Sequence, residues 1–434
     1  MMLLKRLNYK VRRNKFILNV LTLASGTALS QGIMIGSSPL VTRIFSPKEF
    51  GIFATYLAII TTISVISSFK YELAIMIPKE EDDATALLVI STLFVFLTSL
   101  FVFIAILIFK NRLISLSTKM TSIIWFIPLG VLITGLLQVF NAWITRKEYY
   151  KNLSTSKVVL SGGSVIGQIS IKISELSSNG LILGSIIGNI SALMTVGIFA
   201  IKKHTIRLSN ISKHIIFKNI KKYDNFPKYQ SFSVLLNSLS QNLPIILLSF
   251  FYSPEIAGLY ALTRRVLETP SRFIGQSVRQ VYFQKASRIF SDGRNIKSVF
   301  TKTTLHLIYI SIIPFILLTI FSRQLFGFVF GQEWIAAGIF AQILIIFTFV
   351  AFINAPAVMS MQILGLQKYS LGYEILLTIF RFLSIYLSYL FFNNVYITVG
   401  FYSLVGFLFN TFLILFVHSK VGKVSYKSAW SVDD

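Results

Sequence analysis

Apolar side chains in this chain run in long blocks, and polar residues are gathered into the short segments between them. Stretches long enough to cross ~30 Å of hydrocarbon as helix fall at about 16–42, 50–69, 85–109, 121–144, 153–174, 180–201, 230–251, 256–282, 303–322, 336–363, 371–391 and 396–418. The pattern predicts twelve membrane helices. Three regions are unusually polar for helices facing lipid: Gln31 to Ser38, 153–174 and above all 256–282. They count as spans partly on the spacing of the others and on the parity of the whole set. The basic run and apolar stretch at the N-terminus resemble a signal peptide, but eleven further spans follow, so the sequence predicts an uncleaved first helix.

Composition agrees: 54% hydrophobic against 13% charged residues over 434 positions excludes a water-soluble enzyme. The absence of Cys excludes disulfides, thiolate chemistry and Cys-based metal sites, and four scattered His leave little for a metal cluster, so neither metal nor cofactor is expected. The net charge of +25 would suggest a nucleic-acid partner in a soluble protein. In a polytopic one, the charges must first be sorted by side. With the N-terminus in the cytoplasm, 27 of the 41 Lys and Arg fall in cytoplasmic segments, 7 on the far side and 7 within or at the ends of spans. This positive-inside bias places both termini in the cytoplasm and removes the case for nucleic acid.

The longest connection, 202–228, combines eight Lys and Arg with Ile211, Ile215, Ile216 and Ile220. It reads as a basic amphipathic segment on the anionic inner leaflet, or as a solvated linker that its charge keeps cytoplasmic. It divides the chain into lobes of six spans, 1–201 and 228–434, joined by 202–227. The lobes share a signature. Ser46-Pro47-Lys48-Glu49-Phe50-Gly51-Ile52-Phe53-Ala54 and Ser253-Pro254-Glu255-Ile256-Ala257-Gly258-Leu259-Tyr260-Ala261 match at an offset of 207, and Leu29-Ser30-Gln31 matches Leu239-Ser240-Gln241 upstream. A six-span offset keeps the membrane orientation, so the expected fold is all-α, with two parallel six-helix repeats around a central cavity. The glycine spacings Gly32/Gly36, Gly163/Gly167 and Gly180/Gly184/Gly188 predict tight helix packing.

Span 256–282 carries the chemistry. Arg264, Glu268, Arg272, Gln276 and Arg279 follow at spacings of 4, 4, 4 and 3, on one helical face, with Arg265 beside the first. Charge inside a bilayer is costly and turns toward a cavity, a partner or the interface. A single acid cannot neutralise this stripe, and the remaining positive surface suits a pyrophosphate held by bidentate Arg. The equivalent positions in the first lobe are Leu57, Thr61, Val65, Phe69 and Glu72, so the charge belongs to the second lobe alone. Lys157 and Arg381 are further cavity candidates, with pairing to Glu374 the alternative for Arg381. Gln31, Asn237, Gln241 and Asn242 offer amides to sugar hydroxyls or to neighbouring helices. Lys70 and Glu72 are expected to pair at the interface, and Glu80-Glu81-Asp82-Asp83 to form a solvated loop.

The segments "SGTALSQ…TRIFSPKEFGIFA", "KYELAIMIPK" and "FPKYQSFSVLLNSLSQNLPIILLSFFYSPEIAGLYALTRRVLETPSRFIGQSVRQVYFQKAS" resemble the polysaccharide repeat-unit flippases of the multidrug/oligosaccharidyl-lipid/polysaccharide exporter superfamily. The likeness extends along the chain in span number and cytoplasmic termini. It implies export of an undecaprenyl-pyrophosphate-linked oligosaccharide, such as an O-antigen unit, from the inner to the outer leaflet of a bacterial plasma membrane by alternating access. Membrane lipid and the polysaccharide polymerase machinery are the implied partners. A cation-coupled drug antiporter of the same superfamily is the chief rival, but it needs buried acids, and only Glu268 and Glu374 lie well inside spans. A membrane polymerase or ligase would carry a large outer loop with acid/base or metal residues, which the chain lacks. A passive scaffold leaves the arginine stripe unexplained.

The topology has a direct test. Reporter fusions at Ser291 and Lys423 should behave as cytoplasmic and those at Asn111 and Gly331 as external, and inversion at two or more of these sites would overturn it.

Overall fold

The long apolar blocks become long helices because, without water, each backbone N–H and C=O must be paired within its own segment. The computed structural model describes the backbone of residues 2–116, 121–177, 179–202 and 211–422; side chains at 2–17, 112–116, 121–122, 202, 270, 272–274 and 367 fall outside that description. Among the described residues every regular element is helical, and nine helices are long and apolar enough to cross a membrane. Three of the twelve expected spans fall on other helices. These are α3 (Pro47–Ser64), α8 (Tyr150–Ile173) and α12 (Pro254–Ser291). The first is cut short by a break at Ser64, where the chain turns through left-handed residues Phe69 and Lys70. The other two carry the polar and charged positions.

The chain divides into two units, Met1–Ser238 and Leu239–Asp434. In the first, α1 (Met2–Gly36) packs along α8, and α8 along α9 (Gly180–Lys202). Glycine makes the second contact possible. A Cβ added to Gly184 would lie 2.3 Å from the Gln168 backbone nitrogen, and one at Gly163 would meet the Gly188 Cα at 3.3 Å. The backbones thus touch directly. Gly32 and Gly36 behave otherwise: nothing lies within 4 Å of a Cβ at either, and Gly26 takes the close position, against Ser154.

The Ser-Pro signature forms the same local device twice. Ser46 caps α3 and Ser253 caps α12, each accepting a hydrogen bond from the N–H three residues on, with Pro at the first helical position. In the first unit Glu49 completes a capping box and reaches Lys172 at the end of α8, 2.6 Å away. Burial opposes ionisation of Glu49, but hydrogen bonds from Lys172 and Ser46 outweigh it and hold the carboxyl below its ordinary pKa.

At the end of the first unit expected to be cytoplasmic, two readings change. Glu81 and Asp83 do not sit in a solvated loop. They open α5 (Glu81–Leu116), where Glu81 pairs with Lys147 at 2.5 Å and Arg146 at 3.6 Å, and Asp83 accepts from Asn219 at 2.9 Å. Asn219 lies in α10 (Lys213–Lys222), the described part of the basic connection. That helix turns Ile216 and Ile220 onto the protein core and leaves Phe217 and its lysines outside, so those two isoleucines are covered by protein. Lys70 and Glu72 do pair, at 3.1 Å, and are nearly buried.

In the second unit α11 (Ser231–Phe251, from Leu239 onward) and α12 are followed by α13 (Lys297–Phe330), α14 (Ile335–Ile353), α15 (Ala355–Ile363), α16 (Gln367–Phe392) and α17 (Val395–Lys420). At 38 residues, α12 is about 57 Å long. Gly293, at φ 75°, ends it, with the Gly293 N–H returning to Phe290 and the Arg294 N–H to Ile289.

Gly184→Val should overpack the α8/α9 contact by roughly 1–3 kcal/mol or more and lower the thermal midpoint in detergent. Gly162→Val, where nothing lies within 4 Å, should melt as wild type.

Candidate functional site

In α11, Pro244 has no N–H for the Ser240 carbonyl four residues back, so the helical ladder is interrupted at that turn. Two arginines from other helices arrive there. Arg264 of α12 donates Nη1 to the Gln241 carbonyl, while its Nε donates to Glu268 Oε1 at 2.6 Å. Arg381 of α16 donates Nη1 to Ser240 Oγ at 2.9 Å. Its guanidinium lies 5.8 Å from the Phe347 ring centre and 5.7 Å from that of Tyr402, a cation–π seat that offsets lost hydration. Arg381 is 8% exposed, and its Nε is buried without a hydrogen-bond partner. Tyr402 stands edge-on to both Tyr260 and Phe347, at 6.1 and 5.8 Å. Gly406 makes room for Phe347, since a Cβ there would lie 2.4 Å from its ring.

The structure thus joins two candidates that the sequence treats separately, Arg264 and Arg381, at consecutive residues of one broken helix. Arg381 reaches Ser240 and two aromatic rings rather than Glu374. Arg265 and Glu268 are half-buried beside Arg264, whereas Gln276 and Arg279 are exposed lower on the same helix. The side chain of Arg272 lies outside the described residues. Gln241 enters through its backbone carbonyl, with its amide exposed; Asn242 is half-buried and Asn237 exposed. In the first unit, Lys157 is half-buried and donates to Thr27 Oγ1 at 2.9 Å, and Gln31 is exposed. Sequence reasoning missed Tyr260, Phe347 and Tyr402, three aromatics among many. The mid-helix Pro244 was the available sign of where polar side chains would be drawn.

Chemically, the arrangement is cationic and partly pre-satisfied. Arg264 uses two of its five N–H donors in these bonds, and Glu268 orients the fork. Such a site suits an oxyanion with several acceptor oxygens.

A family model described as "Polysaccharide biosynthesis protein" matches residues 40–339. The Teichuronic acid biosynthesis protein TuaB of Bacillus subtilis (strain 168) is 28% identical over 120 residues, which is 28% of this chain and 25% of that protein; the match spans about a quarter of that relative. Among solved structures, the lipid II flippase MurJ in an inward closed conformation aligns with a TM-score of 0.69 at 12% identity, covering 94% of this chain and 90% of that one. An inward-facing multidrug resistance MATE family transporter of the MOP superfamily aligns at 0.63 and 13%, covering 92% and 94%. A MOP superfamily transporter from Pyrococcus furiosus, whose binding pocket is described as having reversed polarity, aligns at 0.58 and 11%, covering 93% and 95%. At these identities the likeness is one of fold.

Proposed function

Because the chain belongs to the polysaccharide biosynthesis protein family, we propose that it is a flippase that carries undecaprenyl-pyrophosphate-linked oligosaccharides from the inner to the outer leaflet of a bacterial plasma membrane. In this reading twelve helices span the bilayer, both termini are cytoplasmic and transport proceeds by alternating access. The observation that carries it is the Arg264–Glu268 pair, 2.6 Å apart, set beside Arg381 at the proline-broken turn of α11. Positive charge outnumbers acid there, as a pyrophosphate requires. Arg264 and Arg272 are the principal clamp, Arg265 and Arg279 extend the field along α12, and Arg381 adds charge from α16. Lys157 remains a cavity candidate of the first unit in this proposal. The amides of Gln31, Asn237, Gln241 and Asn242 remain sugar contacts in this proposal. A cation-coupled drug antiporter would place acids where this chain places arginines, so the polarity of the site speaks against it.

Arg264→Ala or Arg272→Ala should lower export per inserted molecule by about 10- to 100-fold, the loss of a charge-assisted contact. Arg→Lys should keep part of the activity, and Glu268→Gln should be milder. Should the pairs serve stability alone, the arginine variants would instead lower abundance, and removal of Arg264 and Glu268 together would restore it. Wild-type export by both alanine variants would remove α12 as the binding site.

The reading also predicts voltage dependence. A lipid pyrophosphate carries about two negative charges, and at ~2.3 kcal/mol per charge per 100 mV an inside-negative potential favours outward movement by about 4–5 kcal/mol, a factor of ~10³. Flipping in reconstituted vesicles should quicken with that potential, and indifference to voltage with ion gradients clamped would refute it.

A further inference from the structure

Below the arginines, α12 presents a second set of side chains. One face of its lower half, formed by Gly275, Tyr282, Ala286 and Phe290, is buried; the last three join a core with Ile296, Phe300 and Met361, and the Tyr282 hydroxyl meets Ser360 Oγ at 2.5 Å. That anchoring fixes what the helix shows on its outer side. Gln276, Gln280 and Gln284 stand there at successive intervals of four residues, all exposed, and Phe283 lies beside them at 41% exposure. Among the described residues none of these amides makes a hydrogen bond, and Phe283 makes no ring contact.

These are the groups that engage a sugar. Each amide offers both donors and an acceptor to vicinal hydroxyls, and an exposed aromatic ring offers a flat apolar surface to the C–H face of a pyranose. Charge surrounds the set, in Arg279, Lys285 and Arg288, yet Gln280, Phe283 and Gln284 are neutral, as a neutral ligand needs. From Gln276 to Gln284 the helix rises about 12 Å, room for two sugar rings laid along it. The order also fits, because Gln276 follows Arg272 by one turn, so a ligand whose pyrophosphate lies on the arginines brings its first sugars against the glutamines.

We propose that the Gln276–Gln280–Phe283–Gln284 face of α12 is a saccharide subsite for the first neutral sugars attached to the pyrophosphate; this rests on the flippase reading. The subsite adds recognition that a bare polyprenyl pyrophosphate cannot use. It also makes the lower half of α12, beyond the arginines, the part that tells one head group from another.

The test uses the full chain in nanodiscs with defined probes: undecaprenyl pyrophosphate alone, and the same lipid bearing an N-acetylglucosaminyl, galactosyl or rhamnosyl head. Wild type should bind at least one glycosylated probe more tightly than the bare lipid. Phe283→Ala and the double variant Gln280→Ala/Gln284→Ala should weaken that probe by about tenfold with bare-lipid affinity unchanged, while Phe283→Trp should retain it. Equal affinity of wild type for all four probes, unchanged glycosylated binding by the variants, or equal loss of bare and glycosylated binding would each overturn the subsite. Arg264→Ala reports separately on the flippase reading. It should weaken every probe alike, and a selective Phe283→Ala loss beside wild-type binding by Arg264→Ala would sink the arginine clamp while sparing the subsite.

Discussion

The constraint on which the second unit depends is the cost of placing guanidinium groups where water is scarce. An arginine in hydrocarbon must find acceptors or aromatic faces in the protein, or reach water. Arg381 finds a hydroxyl and two rings, and Arg264 a carboxylate and a backbone carbonyl. Meeting those demands dictates the neighbourhood. The broken turn of α11 supplies polar positions, Gly406 lets Phe347 approach, and Thr263 ties α12 to α14 through the Ala337 carbonyl at 2.7 Å. The helix that carries the charge is thereby held from several sides.

A different economy governs the first unit. Its close contacts are made by absence of side chain, in the Gly163–Gly188 and Gly167–Gly184 approaches of α8 and α9, and its polar bonds gather at the helix ends around Glu49, Glu81 and Asp83. Within the span region Lys157 donates to Thr27, and the hydroxyls of Thr98, Ser99 and Ser156 donate to backbone carbonyls of neighbouring segments. Shared fold with MOP superfamily transporters coexists with arginines within spans in the second unit alone, as expected where function lies in residues placed on a scaffold rather than in the scaffold itself.

How much of this was legible in the sequence follows from the reach of each signal. Helix existence was readable from apolar block length, and the two Ser-Pro caps from four-residue patterns, because both are local. The α8/α9 packing was readable from glycine spacing, but the same spacing at Gly32 and Gly36 was misleading, since periodicity cannot say whether a partner is present. The stripe on α12 was visible as a stripe. Its alliance with Arg381 was not, because 117 positions separate Arg264 from Arg381 and nothing local encodes that both meet α11. The acidic segment at 80–83 and the isoleucines of α10 likewise looked solvated or lipid-bound until folding brought them together.

The interrupted ladder of α11 has a mechanical meaning. A helix ordinarily resists bending through its own backbone bonds. At Pro244 one such bond is missing, and guanidinium groups from α12 and α16 brace the same turn beside the freed Ser240 carbonyl, at the Gln241 carbonyl and the Ser240 hydroxyl. An anion that recruits Arg264 competes with the Gln241 carbonyl for the same donors, so binding in the proposed site would loosen this brace on α11. The joint is braced by the residues of the proposed site.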